Sequence, residues 1–220
     1  MAMSIGNILN RYFSHEVRPY GFWVVGMRTL AWTKATLHGR LLGWQQASVP
    51  PSSTILGTKY IEVMPGFFAS GPVWIEAISS YGNDAFSPSI HIGRDLRVSR
   101  NLHISAIDHV SIGNNCLLGS NVYIADHSHG DYRARDFDAA VVPALRPLAF
   151  TGAVNIADNC WIGDNAVILG GVTIGAGAIV AANSVVLHDV SSMTMVAGAP
   201  AKVIKEYSTS SGKWIRSVVS

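Results

Sequence analysis

A short polar segment carries residues suited to acid–base chemistry. Asp126, His127, Ser128 and His129 are consecutive and precede a long stretch without a repeat pattern. A histidine can take a proton from a hydroxyl group at neutral pH, because its ordinary pKa lies close to 7. We therefore predict His127 as a general base, and the alternative is a corner histidine bonded to a neighbouring carbonyl. His129 is either a rival base or a group that orients an acceptor. Asp126 either fixes the tautomer of His127 or is a solvated carboxylate.

A six-residue period predicts the scaffold that positions this segment. From Ile156 to Ser191 the chain reads IADNCW, IGDNAV, ILGGVT, IGAGAI, VAANSV and VLHDVS. Every hexad opens with an aliphatic residue, and its fifth residue is small or β-branched. An α-helix could not keep these residues on one face, because its period is 3.6 residues. A coil with three flat sides can, with Gly, Asn and Asp at its corners, and this indicates a parallel β-helix.

The remaining segments divide the chain into parts. Residues 1–53 lack the period and are predicted to form one or two amphipathic helices followed by a Pro/Ser linker. The solenoid is predicted over residues 54–204, in about five coils, with a protruding loop at residues 130–152. Such a loop in a regular scaffold is often functional. Residues 205–220 are expected to pack back as a tail, in a short helix or strand.

The N-terminal segment has two interpretations. Its central run is apolar but contains Arg28, Lys34, His38 and Arg40. Its uninterrupted apolar part is shorter than the ~20 residues that span a bilayer, and we find no secretory signal pattern. One interpretation is packing on the solenoid or between subunits. The other is peripheral contact with a membrane through an interfacial helix.

Particular side chains are predicted to fill the interior. Cys116 and Cys160 both fall on the fifth position of a hexad, which predicts reduced core thiols rather than a disulfide or a nucleophile. Phe67, Phe68 and Trp74 are predicted to point inward in a wider first coil. The thiols favour a cytoplasmic location, with the inner face of the membrane as an option. The net charge of +2 gives no reason to expect nucleic acid as a partner.

The hexads, the DHSHG segment before the loop and the GAPAK run at residues 198–202 resemble the hexapeptide-repeat acyltransferases. The sequence is similar to the O-acetyltransferases of bacterial surface polysaccharides, which are related to galactoside and maltose O-acetyltransferases. The resemblance covers about Thr54 to Ile204. It implies an all-β fold, a left-handed parallel β-helix with an N-terminal α-helical extension. It also implies acetyl-CoA as donor, a sugar or polysaccharide acceptor, no metal, and a homotrimer with active sites between solenoids.

The resemblance implies roles for particular residues. His127 takes the position of the general base, and Asn101 matches an asparagine that helps to hold the acceptor sugar, with an ordinary corner asparagine as the alternative. Asp126 and His129 are the other acceptor-side candidates. Trp161, in an outward position, is implied to contact the acyl-CoA arm or the substrate at a subunit junction, with subunit packing as the alternative.

Further residues are implied to bind CoA. Three small residues would let the pantetheine arm lie along the coil edge, although they also suit a plain corner. Two lysines would bind the CoA phosphates, although solvated surface lysines are equally expected. These residues are Gly163, Ala181 and Ala182, and Lys202 and Lys205.

Two positions depart from the family pattern. Gly170–Gly171 replaces the usual Pro-Gly corner, and Ala182–Asn183–Ser184 replaces Ala-Gly-Ser near the CoA site. The first change is expected to leave the fold intact, and the second puts the fine CoA contacts in question.

Several reactions fit these features. The predicted one is transfer of an acetyl group from acetyl-CoA to a sugar hydroxyl of a surface polysaccharide or its precursor. N-acetylation of an amino sugar or nucleotide-sugar is the near alternative, since both reactions need one base and one CoA groove. A zinc enzyme of the γ-carbonic-anhydrase type is less favoured, because it needs three histidines converging on zinc and the spacing typical of that type is missing. A catalytically silent scaffold is a further class.

Overall fold

Three parallel β-sheets form the sides of one solenoid in the computed structural model. The structure describes residues 18–135 and 139–217, and the side chains from residue 23 onward. In these ranges, helix α1 (Arg18–Leu41) precedes the strands, and short 3-10 turns lie at Thr58–Tyr60 and Pro143–Leu145. The strands are β1 (Thr54–Leu56), β2 (Ile61–Val63), β3 (Phe68–Ala69), β4 (Val73–Ala77), β5 (Ser80–Tyr81), β6 (Asp84–Ala85), β7 (Ser89–Ile92), β8 (Arg97–Val98), β9 (Leu102–Ala106), β10 (His109–Ile112), β11 (Leu117–Leu118), β12 (Tyr123–Ala125), β13 (His127–His129), β14 (Leu148–Phe150), β15 (Val154–Ile156), β16 (Trp161–Ile162), β17 (Val167–Ile168), β18 (Thr173–Ile174), β19 (Ile179–Val180), β20 (Val185–Val186), β21 (Thr194–Ala197), β22 (Lys202–Ser208) and β23 (Lys213–Arg216).

The chain visits the three sides in the same order in every coil. Side 1 stacks β1, β4, β9, β12, β17 and β20, and side 2 stacks β2, β7, β10, β15 and β18. Side 3 stacks β3, β8, β11, β16, β19 and β21. The left-handed parallel β-helix is confirmed. Side 1 has six strands, so the solenoid has six coils rather than about five. The approximate count fell short because the end coils depart from the strict period; the last one keeps only a bridge between Ile174 and Val190 on side 2.

The interior follows the hexads. The first and fifth residues of every hexad from Ile156 to Val190 are buried. Each buried Ile or Leu contributes roughly 1.5–3 kcal/mol, so a continuous aliphatic column stabilises the stack. Cys116 and Cys160 are buried and free, as predicted. The Sγ atoms lie 3.2 Å from the carbonyl oxygens of Ala157 and Gly175, respectively.

The first coil differs from the prediction for two of three aromatic residues. Phe67 is fully buried and packs edge-on against Trp44, with ring centroids 5.6 Å apart. Phe68 and Trp74 point outward, so the prediction for them is wrong. Successive side chains of a strand alternate between its faces. Because Phe67 and Val73 are inside, their next neighbours must be outside.

The ends of the solenoid are covered differently. The C-terminal part of α1 packs on the first coil: the N–H of Val49 donates to the carbonyl of Ala35 over 3.0 Å. A Cβ at Gly39 would lie 2.7 Å from the carbonyl oxygen of Ala47, so only glycine allows this approach. At the other end, β22 and β23 continue side 3 as an antiparallel hairpin. In the described part of the chain, no helix is long and apolar enough to span a membrane. Residues 1–17 of the predicted extension lie outside the described residues.

Candidate active site

His127 lies where the regular coil opens into the long loop. In the third coil the corner between sides 1 and 2, here called the 1–2 corner, is tight, since β9 ends at Ala106 and β10 begins at His109. In the fourth coil the chain instead leaves the solenoid as β13, which pairs antiparallel with β14 on its return. His127 pairs with Phe150 at the base of this ladder. The side chain is therefore held at the root of the loop by strand pairing.

Asp126 anchors this corner to the coil beneath it. Its side chain is fully buried. Oδ1 accepts a hydrogen bond from the N–H of Ile107 over 3.0 Å, and Oδ2 accepts those of Asp108 and His109, each over 2.8 Å. The carboxylate thus satisfies the amide groups of the tight corner in the third coil. The alternative of a solvated carboxylate is wrong, because the side chain is buried, and contact of Asp126 with an acceptor stays a prediction.

The charge of Asp126 is maintained despite its burial. Burial by itself raises the pKa of this carboxyl, but the hydrogen bonds from His127 and from the amides of Ile107 and Asp108 outweigh it and hold the pKa below its usual value. Hydrogen bonds to the charged form of an acid favour that form. Asp126 is therefore a fixed anion at neutral pH.

The imidazole of His127 is oriented by that anion. Its Nδ1 lies 2.8 Å from Oδ1 of Asp126, and its side chain is only 8% exposed. An ionised carboxylate can only accept a hydrogen bond, so the ring donates from Nδ1 and Nε2 keeps the lone pair. The corner histidine bonded to a carbonyl, which was the alternative, is not observed. The geometry leaves one ring nitrogen able to accept a proton.

Small residues close the back of this corner. The N–H and the hydroxyl of Thr151 both donate to the carbonyl of Asp126, over 2.8 and 3.0 Å. A Cβ at Gly170 would clash with the hydroxyl of Thr151 and lie 3.0 Å from the main chain of Asp126. Any side chain at position 170 would therefore displace Thr151 and crowd the main chain of Asp126.

An aromatic row on side 1 borders the site, and the sequence interpretation missed it. Trp74, His103 and Tyr123 are in-register neighbours on β4, β9 and β12. The rings of Trp74 and His103 stack with centroids 4.4 Å apart, and His103 meets Tyr123 edge-on at 5.1 Å. Burial lowers the pKa of His103; the charge of Glu76 opposes this and that of His127 adds to it. The sequence did contain a signal for this row, because each of its three residues directly follows an inward-facing residue.

His129 has different contacts from His127. Its ring meets that of Tyr81 edge-on, with centroids 5.4 Å apart, and it is exposed. The hydroxyl of Tyr81 donates to the carbonyl of Ala144 in the long loop over 2.9 Å. Tyr81 belongs to the β5–β6 hairpin, which leaves the second coil on the same side. His129 therefore takes part in joining two excursions of the chain, and its role as base or orienting group stays a prediction.

The long loop is braced from within. Arg146 donates to the hydroxyl of Tyr132 over 3.2 Å and to the carbonyl oxygens of Ala139 and Val141 over 3.1 and 3.0 Å. Arg133 donates to the carbonyl of Phe150 over 3.3 Å. The outer surface of the long loop carries exposed apolar side chains at Val142 and Leu145.

The residues predicted to bind CoA lie on another part of the solenoid. Trp161 points outward from β16 on side 3 and is 51% exposed. At the adjoining corner between sides 3 and 1, a Cβ on Gly163 would lie 2.5 Å from the N of Ala182, so Gly163, Ala181 and Ala182 form one close-packed strip. In a three-sided coil, side 3 is opposite the 1–2 corner. One chain therefore does not bring this strip to His127.

The remaining predicted residues lie at the edges of side 3. Lys202 and Lys205 are on β22, with Lys202 exposed and Lys205 half-buried. Asn101 lies at the corner between sides 3 and 1, the 3–1 corner, with a left-handed φ of 54°. Its side-chain amide donates to Oδ1 of Asn121 over 3.0 Å. The ordinary-corner interpretation accounts for this contact, and acceptor binding by Asn101 stays a prediction. In the described ranges, no three His, Cys, Asp or Glu side chains are grouped as a metal site would require.

Comparisons with known proteins identify the repeat. Residues 153–188 match the family model described as bacterial transferase hexapeptide (six repeats), and residues 109–128 match the hexapeptide repeat of succinyl-transferase. The prediction of a hexapeptide-repeat protein is confirmed.

Similar curated proteins are named as acetyltransferases. A putative lipopolysaccharide biosynthesis O-acetyl transferase, WbbJ, of Escherichia coli (strain K12) is 39% identical over 95 residues, which are 42% of this chain and 48% of the relative. A 2,3,4,5-tetrahydropyridine-2,6-dicarboxylate N-acetyltransferase of Clostridium perfringens (strain SM101 / Type A) is 52% identical over 67 residues, 30% of this chain and 28% of the relative. The chain thus spans about half, or less, of the length of these relatives.

Solved structures of similar proteins include a hexapeptide-repeat acetyltransferase of Vibrio cholerae O1 biovar eltor complexed with acetyl coenzyme A. It is 35% identical, with a TM-score of 0.45 over 53% of this chain and 60% of that one. A galactoside acetyltransferase in complex with coenzyme A is 25% identical, with a TM-score of 0.49 over 80% of this chain and 82% of that one.

Proposed function

We propose that this hexapeptide-repeat protein is an acetyl-CoA-dependent O-acetyltransferase that acetylates a sugar hydroxyl of a surface polysaccharide or its precursor. The observation that carries the proposal is the buried Asp126–His127 pair at the root of the long loop. The names of the similar proteins support acetyl transfer in general, and WbbJ supports a polysaccharide acceptor. The proposal assigns one base and no covalent acyl-enzyme, since both described cysteines are buried.

The proposed reaction is a direct transfer. Nε2 of His127 takes the proton of the acceptor hydroxyl while the hydroxyl oxygen attacks the thioester carbonyl of acetyl-CoA. The tetrahedral intermediate then expels the CoA thiolate as the C–S bond breaks, and the imidazolium returns its proton to the sulfur. The products are an acetyl ester and CoA, so protons and electron pairs balance. General base catalysis of this kind contributes roughly 10²–10⁴ to the rate.

Asp126 gives the base its direction in this scheme. Three backbone amides fix the carboxylate, and the carboxylate fixes Nδ1, so the lone pair of Nε2 needs no reorientation before reaction. When the ring takes the proton, the adjacent anion stabilises the imidazolium. The carboxylate that satisfies the amides of the corner therefore also fixes the tautomer of His127.

His127 and the residues predicted to bind CoA lie on different parts of one chain, which supports an active site shared between two subunits. The strip formed by Gly163, Ala181 and Ala182 lies at the 3–1 corner, and Trp161 lies on side 3, so both are away from the 1–2 corner that carries His127. We propose a homotrimer in which the 1–2 corner of one solenoid faces side 3 of its neighbour. Acetyl-CoA would lie along that strip, and the neighbour would supply the base. Exposed apolar side chains on side 3, such as Leu117 and Trp161, fit burial in such an interface.

N-acetylation of an amino sugar or nucleotide-sugar is the second candidate. It is favoured by the 52% identity to the named N-acetyltransferase over 67 residues. An amine needs the same base to lose its proton during attack, so the Asp126–His127 pair serves both reactions.

The test is an acceptor panel with identification of the product. Purified protein is incubated with acetyl-CoA and with neutral sugars, amino sugars, nucleotide-sugars and polysaccharide fragments, and released thiol is measured. The proposal expects acceptor-dependent release and a product whose acetyl group is removed by mild alkali, as an ester is. An alkali-stable amide would establish the second candidate. No release with any acceptor and no binding of acetyl-CoA would exclude both.

A further inference from the structure

Helix α1 displays large apolar side chains to solvent. In the described range from residue 23, six such side chains are between 51% and 79% exposed, and all but Trp32 lie on one face of the helix. Isolated exposed apolar residues are ordinary on protein surfaces, but a contiguous group on one element indicates a binding surface. The group, here called the α1 stripe, consists of Trp23, Met27, Leu30, Leu37 and Leu41.

The stripe follows one face of the helix. Consecutive members are four, three, seven and four residues apart in the sequence. Lys34 lies between Leu30 and Leu37, four residues after Leu30. At 3.6 residues per turn, these positions lie within a band about 80° wide. The opposite face packs on the first coil through Ala35 and Gly39, which are buried. The stripe therefore faces away from the solenoid.

The helix is also strongly basic. The segment Arg18–Leu41 contains Arg18, Arg28, Lys34 and Arg40 and has no Asp or Glu, a formal charge of +4. The chain as a whole has a net charge of +2, so the positive charge is concentrated on this element. Lys34 lies in the stripe itself, where a long stem can cross apolar surface while its ammonium group reaches a polar layer.

Charge complementarity distinguishes between the possible occupants of the stripe. A second copy of α1 would set the basic residues of one helix against those of the other, and the segment Arg18–Leu41 of either copy contains no Asp or Glu. An anionic lipid surface offers the opposite charge at its headgroups and an apolar layer directly beneath. Basic helices with Trp and Leu on one face lie in that interface.

We propose that α1 docks side-on to the surface of an anionic lipid bilayer, with the α1 stripe at the headgroup–acyl boundary. Lys34 and Arg40 face the headgroups, and the contact of Ala35 and Gly39 with the first coil holds the solenoid against the membrane. The proposal does not depend on the acetyl transfer proposed above. It places the catalytic solenoid within reach of acceptors attached to lipid.

The test is flotation of the full-length protein with vesicles. One set contains phosphatidylcholine with about 30% phosphatidylglycerol, and the other contains phosphatidylcholine alone. We expect at least tenfold stronger binding to the anionic vesicles, weakened by 1 M salt because exposed charges are then screened. The variant Leu30→Glu/Leu37→Glu should lose at least tenfold in binding.

A matched control separates the stripe from general exposure. Leu187→Glu/Ile215→Glu also replaces two exposed apolar residues, but away from α1, and it should bind as the wild type does. All variants should keep the melting temperature of the wild type. Absence of binding to anionic vesicles, or equal binding by the stripe variant, would overturn the proposal. A smaller assembly mass of the stripe variant without lipid would show that a second copy covers the stripe, and would overturn it too.

Discussion

The 3–1 corner and the 1–2 corner of this solenoid are built in different ways. At the 3–1 corner, four asparagines in the left-handed conformation stack coil upon coil, and each side-chain amide donates to the next over 2.9–3.1 Å. They are Asn101, Asn121, Asn165 and Asn183. At the 1–2 corner the stack is interrupted by the β5–β6 hairpin and by the long loop.

The two corners differ in the side chains that hold neighbouring coils together. In the asparagine ladder the same side-chain contact recurs from coil to coil. Asparagine suits this corner because it tolerates the left-handed region and its side chain can form hydrogen bonds to the neighbouring asparagines. The 1–2 corner uses a buried charge instead: Asp126 binds three amides of the coil beneath and still holds His127. We infer that the asparagine ladder of the 3–1 corner serves stability, whereas the 1–2 corner supplies the proposed base.

The largest expected effect separates the two histidines of the DHSHG segment. His127→Ala should lower kcat by roughly 100-fold or more, because it removes the proposed base. His129→Ala should change kcat by no more than about threefold, because His129 contacts Tyr81 rather than Asp126. Steady-state thiol release with the acceptor identified above measures both. A larger loss in the His129 variant would reverse the assignment.

Asp126→Asn should reduce both activity and stability. The substitution removes the charge that three amides and His127 share, and its cost to the free energy of unfolding is expected to be about 3 kcal/mol at pH 7. The pKa of Asp126 is held below its usual value, so the carboxylate stabilises the fold above the ordinary aspartate pKa. That stabilisation is lost as the pH falls through the lowered pKa. Denaturant unfolding of both proteins from pH 7 down to pH 3 should show the gap narrowing; a constant gap contradicts this reading.

Two glycines test the corner against a matched control. A Cβ at Gly170 meets Thr151 and Asp126, whereas a Cβ at Gly175 meets Ser192 on the way from side 2 to side 3. Both Gly170→Ala and Gly175→Ala should lower the melting temperature. Only Gly170→Ala should also lower kcat, by roughly tenfold, since small displacements of a catalytic group are costly. Equal kcat values in the two variants would show that the close approach at Gly170 does not help to position His127.

The smallest effect is expected in the asparagine ladder. Asn165→Ala places an alanine at a φ of 58°, which costs roughly 1–2 kcal/mol, and it removes two amide contacts. Asn165→Gly removes the same contacts without the backbone strain, so it should be the more stable of the two. Neither should change kcat. Thermal melting and thiol release check both statements, and a loss of kcat here would break the division between the two corners.

The repeat made most of the scaffold predictable, and the gaps have physical causes. Ile156 to Val190 follow the period strictly, so their inward positions could be predicted from the hexads alone. Phe68 and Trp74 were assigned to the wrong face because the first coils follow the period only loosely. The position of His127 was predictable from its place before the loop.

The support of His127 was harder to predict. Asp126 binds the amides of Ile107 to His109, and this contact depends on how many residues the chain spends in one coil. The chain slips from the strict period between these positions, so the partner of Asp126 appears only when the coils are stacked. The stack of Trp74 on His103 has the same origin, since a register between coils aligns them.

The central claim is that Asp126 holds His127 with Nε2 free to take a proton. It is tested most directly by ¹⁵N NMR of histidine-labelled protein at pH 8, with the His127 signals assigned by their loss in His127→Ala. The account predicts that the neutral form of the ring carries its proton at Nδ1, and that this preference is lost in Asp126→Asn. A wild-type ring protonated at Nε2 would contradict the claim, because the nitrogen proposed as the base would already carry its proton.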